Sequence, residues 1–392
     1  MEFIKPSIEN TEELRRILKC NEYRCCDFST GTLILWSDYY GYTYTVIRDF
    51  FVIWMTEYKA FSFPMYVGEK KLNDDELRRE ESTVVGELMH FFEEHEERPR
   101  FLLLSSEQSK RLEELYPDYF EFSDNEDYRD YIYNTEDLAE LSGRHYHGKR
   151  NHIYRFEEDY PDYKVEDITE ENVESCKNVE EEWTDYELSG EGEMNGDRSN
   201  AIDDKRDAIG DRRDAIDDRR DAIDDRRDAT GVESDDCIDE IVNKNVVVTA
   251  DEIVNKNVVV TADEIDEKDV DESDELQYEK KTIFFALDHM KELGLEGCAI
   301  RIPDTSSASG FRTVAFAIGE RLTDDCFVVH FEKADRKIRE AYAVVNREFA
   351  RKLKGRYKYI NREEDMGLEG LRKAKKSYHP VLMCHKIAAV KK

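Results

Sequence analysis

Seven prolines in 392 residues, no CxxC pair and no long apolar run set the first limits on this sequence. An apolar stretch such as 50–55 falls far short of the roughly 18 to 20 residues that cross a bilayer, so no integral membrane association is expected. Residues 1–10 have neither a basic n-region nor an apolar core, which predicts a cytoplasmic protein without a signal peptide. The eight cysteines, at 20, 25, 26, 176, 237, 298, 326 and 384, have no histidine at zinc-ligand spacing beside them. They read as reduced thiols acting as small core hydrophobes, with no disulfide and no structural metal. Basic residues are also short, 58 against 92 acidic, and the net charge of -34 excludes DNA as a partner on the whole-chain number. Aromatics are plentiful: 22 Tyr and 19 Phe supply ample material for buried cores, and the length suits two domains with room for an insertion.

The acidity is uneven. Residues 191–275 hold 30 acids against 12 bases, net -18, whereas residues 276–392 hold 16 against 24, net +8. The acidic segment contains two tandem repeats. From Asn200 the chain reads NAIDDKR, DAIGDRR, DAIDDRR, DAIDDRR; from Asp239 it reads DEIVNKNVVVTA twice. One Ile and one Ala per heptad do not make the two apolar seams of a coiled coil, so a solvated, fraying helix or disorder is expected. Residues 191–275 therefore read as an acidic low-complexity insertion, a tolerated surface loop or an arm for a partner protein.

Outside the insertion, helix and strand signals alternate, an α/β (α+β) pattern. In the front half, Thr11 reads as the cap of a helix carrying Leu14, Ile17 and Leu18. Residues 32–36, 42–47 and 50–56 read as strands, and a helix follows with Val84, Val85, Leu88, Phe91 and Phe92 on one face. Residues 101–104 form a buried strand, and Ser105 with Gln108 makes a capping box for the next helix. In the back half a helix starts near Tyr278 and stops at Gly294. Strands at 298–302, 312–319 and 326–331 follow, then a helix with Ile338, Tyr342, Val345, Phe349 and Leu353 on one face, ended by Gly355. A strand at 357–360, a helix over 368–376 and a final strand over 381–388 complete the order.

That order, with the segments DFSTGTLILW (27–36), LSGRHYHGKRNHIYRF (141–156), HFEKAD (330–335) and YKYINREEDMGLEGLRKAKKSYHP (357–380), resembles a bacterial family grouped with the C-terminal catalytic domain of phosphatidylglycerol lysyltransferase. The resemblance covers residues 1–190 and 276–392. It implies two GNAT-like domains in tandem, 1–145 and 146–190 with 276–392, and a transfer of an aminoacyl group from aminoacyl-tRNA to an amine or hydroxyl. In the lysyltransferases a motif of the type K-x-x-F-x-P recurs near the C-terminus, and Lys375, Tyr378 and Pro380 occupy that spacing. No membrane domain accompanies the chain, which sets a lipid acceptor apart from the expectation.

Several residues carry candidate chemistry. An acetyl-CoA site of the GNAT kind needs glycine where the backbone closes on a pyrophosphate, but Glu332, Lys333, Ala334, Asp335, Arg336 and Lys337 stand there, so acetyl-CoA is disfavoured and no cofactor is expected. Asn361, Arg362, Glu363, Glu364 and Asp365 follow a strand, where α/β sites gather. Arg362 can fork onto a phosphate or carboxylate, and Glu363 or Asp365 can act as a base; the plain alternative is an ion-paired loop that caps the next helix. Arg372, Lys375 and Lys376 can share a helix face aimed at the phosphate of an acyl donor, or form a solvated basic face. Ser377 and Tyr378 can donate to an oxyanion, Tyr378 equally being a core aromatic. Lys149, Arg150 and Asn151 sit at the junction of the halves, a favoured ligand position, with a hinge cluster as the plain reading. Glu332 and Lys333 end a strand, facing a donor or forming a strand-end ion pair. The alternative to an acyltransferase is a non-catalytic module of the same fold that binds an anionic metabolite or a protein.

Overall fold

The computed structural model describes residues 1–19, 21–189 and 272–392. The repeats lie outside the described residues. Two seven-stranded mixed sheets organise the rest, a mixed α+β fold. The strands in chain order are β1 (Tyr42–Ile47), β2 (Phe50–Met55), β3 (Ala60–Ser62), β4 (Met65–Tyr66), β5 (Arg100–Leu104), β6 (Phe120–Ser123), β7 (Asp130–Asn134), β8 (Lys164–Glu166), β9 (Glu296–Pro303), β10 (Phe311–Arg321), β11 (Cys326–Ala334), β12 (Tyr359–Asn361), β13 (Leu382–Cys384) and β14 (Ile387–Lys391). The first sheet runs β1-β2-β3-β5-β14-β6, with β4 also on β2; the second runs β13-β7-β12-β11-β10-β9-β8.

The β1–β2 hairpin closes on Arg48 and Asp49, both at positive φ (51° and 64°), the backbone twist that a two-residue hairpin turn requires. On β10 the register shifts between Ile318 and Gly319. Gly319 is required there, since a Cβ would stand 2.0 Å from the Val328 carbonyl oxygen.

Eleven α-helices occur among the described residues: α1 (Thr11–Leu18), α2 (Thr30–Leu35), α3 (Ser37–Tyr40), α4 (Asp74–Glu94), α5 (Ser106–Leu115), α6 (Thr135–Glu140), α7 (His147–Asp159), α8 (Val173–Leu188), α9 (Glu272–Asp288), α10 (Glu340–Leu353) and α11 (Glu369–Lys376). The Ser105–Gln108 capping box is present in both directions and opens α5. On α10, Val345, Phe349 and Leu353 of the expected face are buried, Tyr342 is half-buried, and Ile338, also buried, lies just before the helix.

Three local expectations are corrected. Residues 32–36, read as a strand, fall mostly in helix α2: the Ser29 hydroxyl accepts from the Thr32 N–H and caps it, and all six helical residues are buried, so packing overrides β-branched propensity. Thr11 is not a cap; it is the first residue of α1, and its hydroxyl donates to the Ile8 carbonyl at 2.8 Å. Helix α9 begins at Glu272, ahead of Tyr278 and inside the segment read as insertion.

The final expected strand is two strands on different sheets. β13 pairs with β7 in the second sheet, while β14 runs between β5 and β6 in the first. Conversely, β7 comes from the front of the chain yet pairs with β12 and β13. The sheets therefore do not divide at residue 145. Each contains a strand from the other end of the sequence, and the crossing at His385 and Lys386 positions the site below.

Candidate functional site

Between β13 and β14 the chain changes sheets, and Lys386 is carried into the interior. Its Nζ lies 2.7 Å from Asp130, 2.8 Å from Asp27 and 2.9 Å from Glu364. The Cys26 sulfur is 3.2 Å away. Burial works against the ammonium, but these acids hold its pKa well above the ordinary lysine value. Asp130, on β7, also accepts from the Cys26 N–H and from Asn361 Nδ2, both at 2.8 Å. Burial, with Glu364 and Asp27 adding to it, raises the Asp130 carboxyl to about 7; for Asp27 and Glu364 the Lys386 charge outweighs burial and lowers it. Cys26, Asp130 and Glu364 bring ligand-type atoms within 4.8 Å of one another, as do Cys25, Asp130 and Cys384. The ammonium of Lys386 already supplies a cation to the first of these groups.

A second chain of titratable groups lies beside it. His330 on β11 is 1% exposed in its side chain and stands between two carboxylates, Glu320 on β10 at 3.2 Å and Glu363 after β12 at 2.9 Å. Burial alone would lower the imidazole, but the two carboxylates outweigh it and raise it to about 9, so an imidazolium donates to both at neutral pH. Burial pushes the Glu363 carboxyl up as well. Glu363 is the open end of the chain, 24% exposed, and its backbone is held at φ +56°. That left-handed conformation is strained for a glutamate and is fixed by Asn361, whose Oδ1 accepts the Glu363 N–H at 2.7 Å.

The other candidate residues take different positions. Asp365 is buried and accepts from Tyr131 at 2.5 Å and from Arg372 at 2.9 Å; burial works to raise its carboxyl, and these donors lower it. Both of its oxygens are engaged, the Gly367 N–H donating to the second at 2.9 Å. Arg372, expected to face an anion, is committed to Asp365 and Asp127. Lys375 is buried and donates to the carbonyls of Arg362, at 2.6 Å, and Glu364; burial lowers its pKa. Lys376 pairs with Glu126 at the surface. The expected anion-facing trio on α11 is thus divided, because the helix docks through its charged side.

Arg362 pairs with Glu332 at 2.9 Å and stacks over the ring of Tyr378, 4.9 Å to the centroid. Tyr378 belongs to the second sheet's core, where burial raises its phenol, and Lys149 covers the ring at 4.1 Å. The Ser377 hydroxyl donates to the Ala374 carbonyl at 2.6 Å. Arg150 donates to the carbonyls of Leu141 and Gly143, and Asn151 contacts His147 one turn back on α7. Lys333 is 2.9 Å from Glu279 and sits over the Trp183 ring at 3.4 Å.

Of the residues expected to act, Asn361 and Glu363 belong to the buried system, and Arg362 and Lys375 brace it. Glu364 stood in the same run after the strand but was given no role, and Asp27, Asp130, Glu320, His330 and Lys386 were missed. One signal existed for Lys386: a lone lysine inside an otherwise apolar strand pattern must be paired or exposed. Asp27 and Asp130 gave none, since the partner that makes them significant is more than 250 residues away.

A family model described as phosphatidylglycerol lysyltransferase, C-terminal, matches residues 21–206 and 241–389, a span that includes all but the end of β14 in the two sheets and every residue of the buried system. The chain belongs to this family. A conserved protein of unknown function from Bacteroides thetaiotaomicron is similar over 100% of both chains, at 27% identity and a TM-score of 0.69. L-PGS from Bacillus licheniformis is similar in fold at 11% identity and a TM-score of 0.52, covering 99% of this chain and 93% of its own. The C-terminal domain (DUF2156) of a putative lysylphosphatidylglycerol synthetase from Agrobacterium fabrum gives 11% and 0.51, covering 98% and 93%. No curated protein matches the chain. Among the described residues no helix is long and apolar enough to cross a membrane.

Proposed function

We propose that the protein is an acyltransferase that moves an aminoacyl group from a phosphate-bearing donor, aminoacyl-tRNA, to an amine or hydroxyl acceptor, on two GNAT-like units that exchange strands. The observation that carries the reading is Glu363: a strained, partly open carboxylate with a raised pKa, backed by the buried His330 and Glu320. In such a transfer Glu363 takes the proton from the attacking nitrogen or oxygen as its bond to the acyl carbon forms. The ester bond to the donor then breaks, and the departing hydroxyl recovers the proton. The imidazolium of His330 holds the carboxylate in place. Acetyl-CoA remains disfavoured as donor, because no glycine follows β11 where the pyrophosphate would lie.

A second reading, a non-catalytic module for an anionic metabolite or protein, has its own support. Arg362, Arg372 and Lys333 are paired with acids and Lys375 donates to carbonyls, which leaves few of the expected cations for a donor's phosphate or an anionic metabolite and favours a protein as this module's partner. One experiment separates the two. Full-length protein is incubated with a set of tRNAs charged with labelled amino acids and a panel of amines and alcohols, and donor loss is followed against spontaneous ester hydrolysis. Transfer requires loss that Glu363→Gln slows about 100-fold or more with the fold retained. Donor loss equal to the blank with every tRNA would overturn the enzyme reading.

A further inference from the structure

A cavity of about 110 Å³ lies at the edge of the site, bounded by α1, the start of α2, Gly294 and the end of β10. Leu18, Phe28 and Leu322 make its apolar wall, while Glu320, Arg15 and Arg321 bring charge of both signs to it. Glu320 is the decisive group. Its side chain is 6% exposed, and its Oε1 receives both the Gly31 N–H and His330. Its Oε2 accepts no hydrogen bond among the described residues and Glu320 lines the cavity, so one carboxylate oxygen stays open to a ligand there. Arg321 uses only Nη2, for the Lys19 carbonyl and Asp324, so Nε and Nη1 have no partner among the described residues. Arg15 likewise has Nε to offer, its Nη groups binding Glu12 and the Glu292 carbonyl.

We propose that this cavity binds a free α-amino acid with a short side chain, its ammonium on Glu320 and its carboxylate on Arg321 and Arg15. A lone anion would leave the Glu320 oxygen unpaired, and a lone amine would leave the guanidinium donors unused. The small volume favours a short side chain, so glycine, alanine and serine are expected to bind better than lysine. The binding does not depend on the transfer reaction proposed above.

Calorimetry and thermal denaturation of the full chain with glycine, alanine, serine, lysine, acetate and methylamine test it. The small amino acids bind at least about tenfold more tightly than acetate, methylamine or lysine. Arg321→Ala, a substitution at the cavity mouth, weakens that binding about tenfold or more while the unliganded midpoint stays put. Glu320→Gln also weakens it, and Arg321→Ala tests the same cavity without disturbing His330, which Glu320 braces. No binding by any small amino acid up to about 10 mM, equal binding of acetate or methylamine alone, or binding unchanged in Arg321→Ala overturns the proposal.

Discussion

At the scale of single residues, two buried cations decide how the site behaves. Lys386 neutralises part of a cluster of three carboxylates, and removing it leaves those charges buried without a counter-ion. Lys386→Met is expected to cost about 3 to 5 kcal/mol, read from urea denaturation at neutral pH, because an uncompensated buried charge costs more than the pair contributes. A loss below about 1 kcal/mol would mean that the acids take up protons or water instead. His330 gives a pH signature. Its pKa is raised from 6.5 to about 9, so between those values the folded state binds more proton than the unfolded one. Its contribution is fully present below about 6.5 and is lost as the pH rises through about 9, roughly 3 kcal/mol in all. His330→Gln should remove that part of the slope in stability measured from pH 6 to 10; an unchanged slope would assign it to other groups.

At the scale of elements, helix α11 is inverted. Arg372 and Lys375 face the interior, while Leu368 (53% exposed) and Leu371 (37%) face solvent. A hydrophobic-pattern reading finds the helix, since its residues favour helix and Gly367 precedes it, but turns it the wrong way round. The reason is local: Asp365 and Asp127, with the carbonyls of Arg362 and Glu364, offer stronger partners to cations than the surrounding surface offers to leucine. Leu371→Ser is therefore expected to change stability by less than about 0.5 kcal/mol, and Arg372→Leu to cost about 2 to 3 kcal/mol by leaving the buried Asp365 without its counter-charge, held by Tyr131 and the Gly367 N–H alone. The opposite ranking in denaturant titrations would show that the leucine face is packed. Other elements were legible. The hairpin strands, the Ser105 cap and the α10 stripe follow from alternation, capping chemistry and a 3.6-residue period, all of which act over a few residues. Helix α2 was not, because its burial on every side hides the period.

At the scale of the whole molecule, the exchange of strands ties the two sheets together. β14, the last strand of the chain, lies inside the first sheet between β5 and β6, and β7 lies between β13 and β12 in the second. A fragment ending at residue 145 would lack β14 and expose the edges of β5 and β6. It is expected not to fold, and a chain ending at residue 384 is expected to fail likewise; well-dispersed amide resonances from either would show that the exchange is dispensable. The sequence by itself determined most elements and the acidic and basic ends of the chain. It also supplied Glu363 and Asn361 as candidates, because they follow a strand in a recognisable pattern. Only the tertiary structure decided that residues 381–388 split across two sheets, and hence that Lys386 meets Asp27 and Asp130 and that His330 is held between Glu320 and Glu363. Those contacts join positions far apart in the chain, and propensity and spacing carry no information over such distances. The energy of burying a charge, which selects its partner, exists only once the sheets have come together.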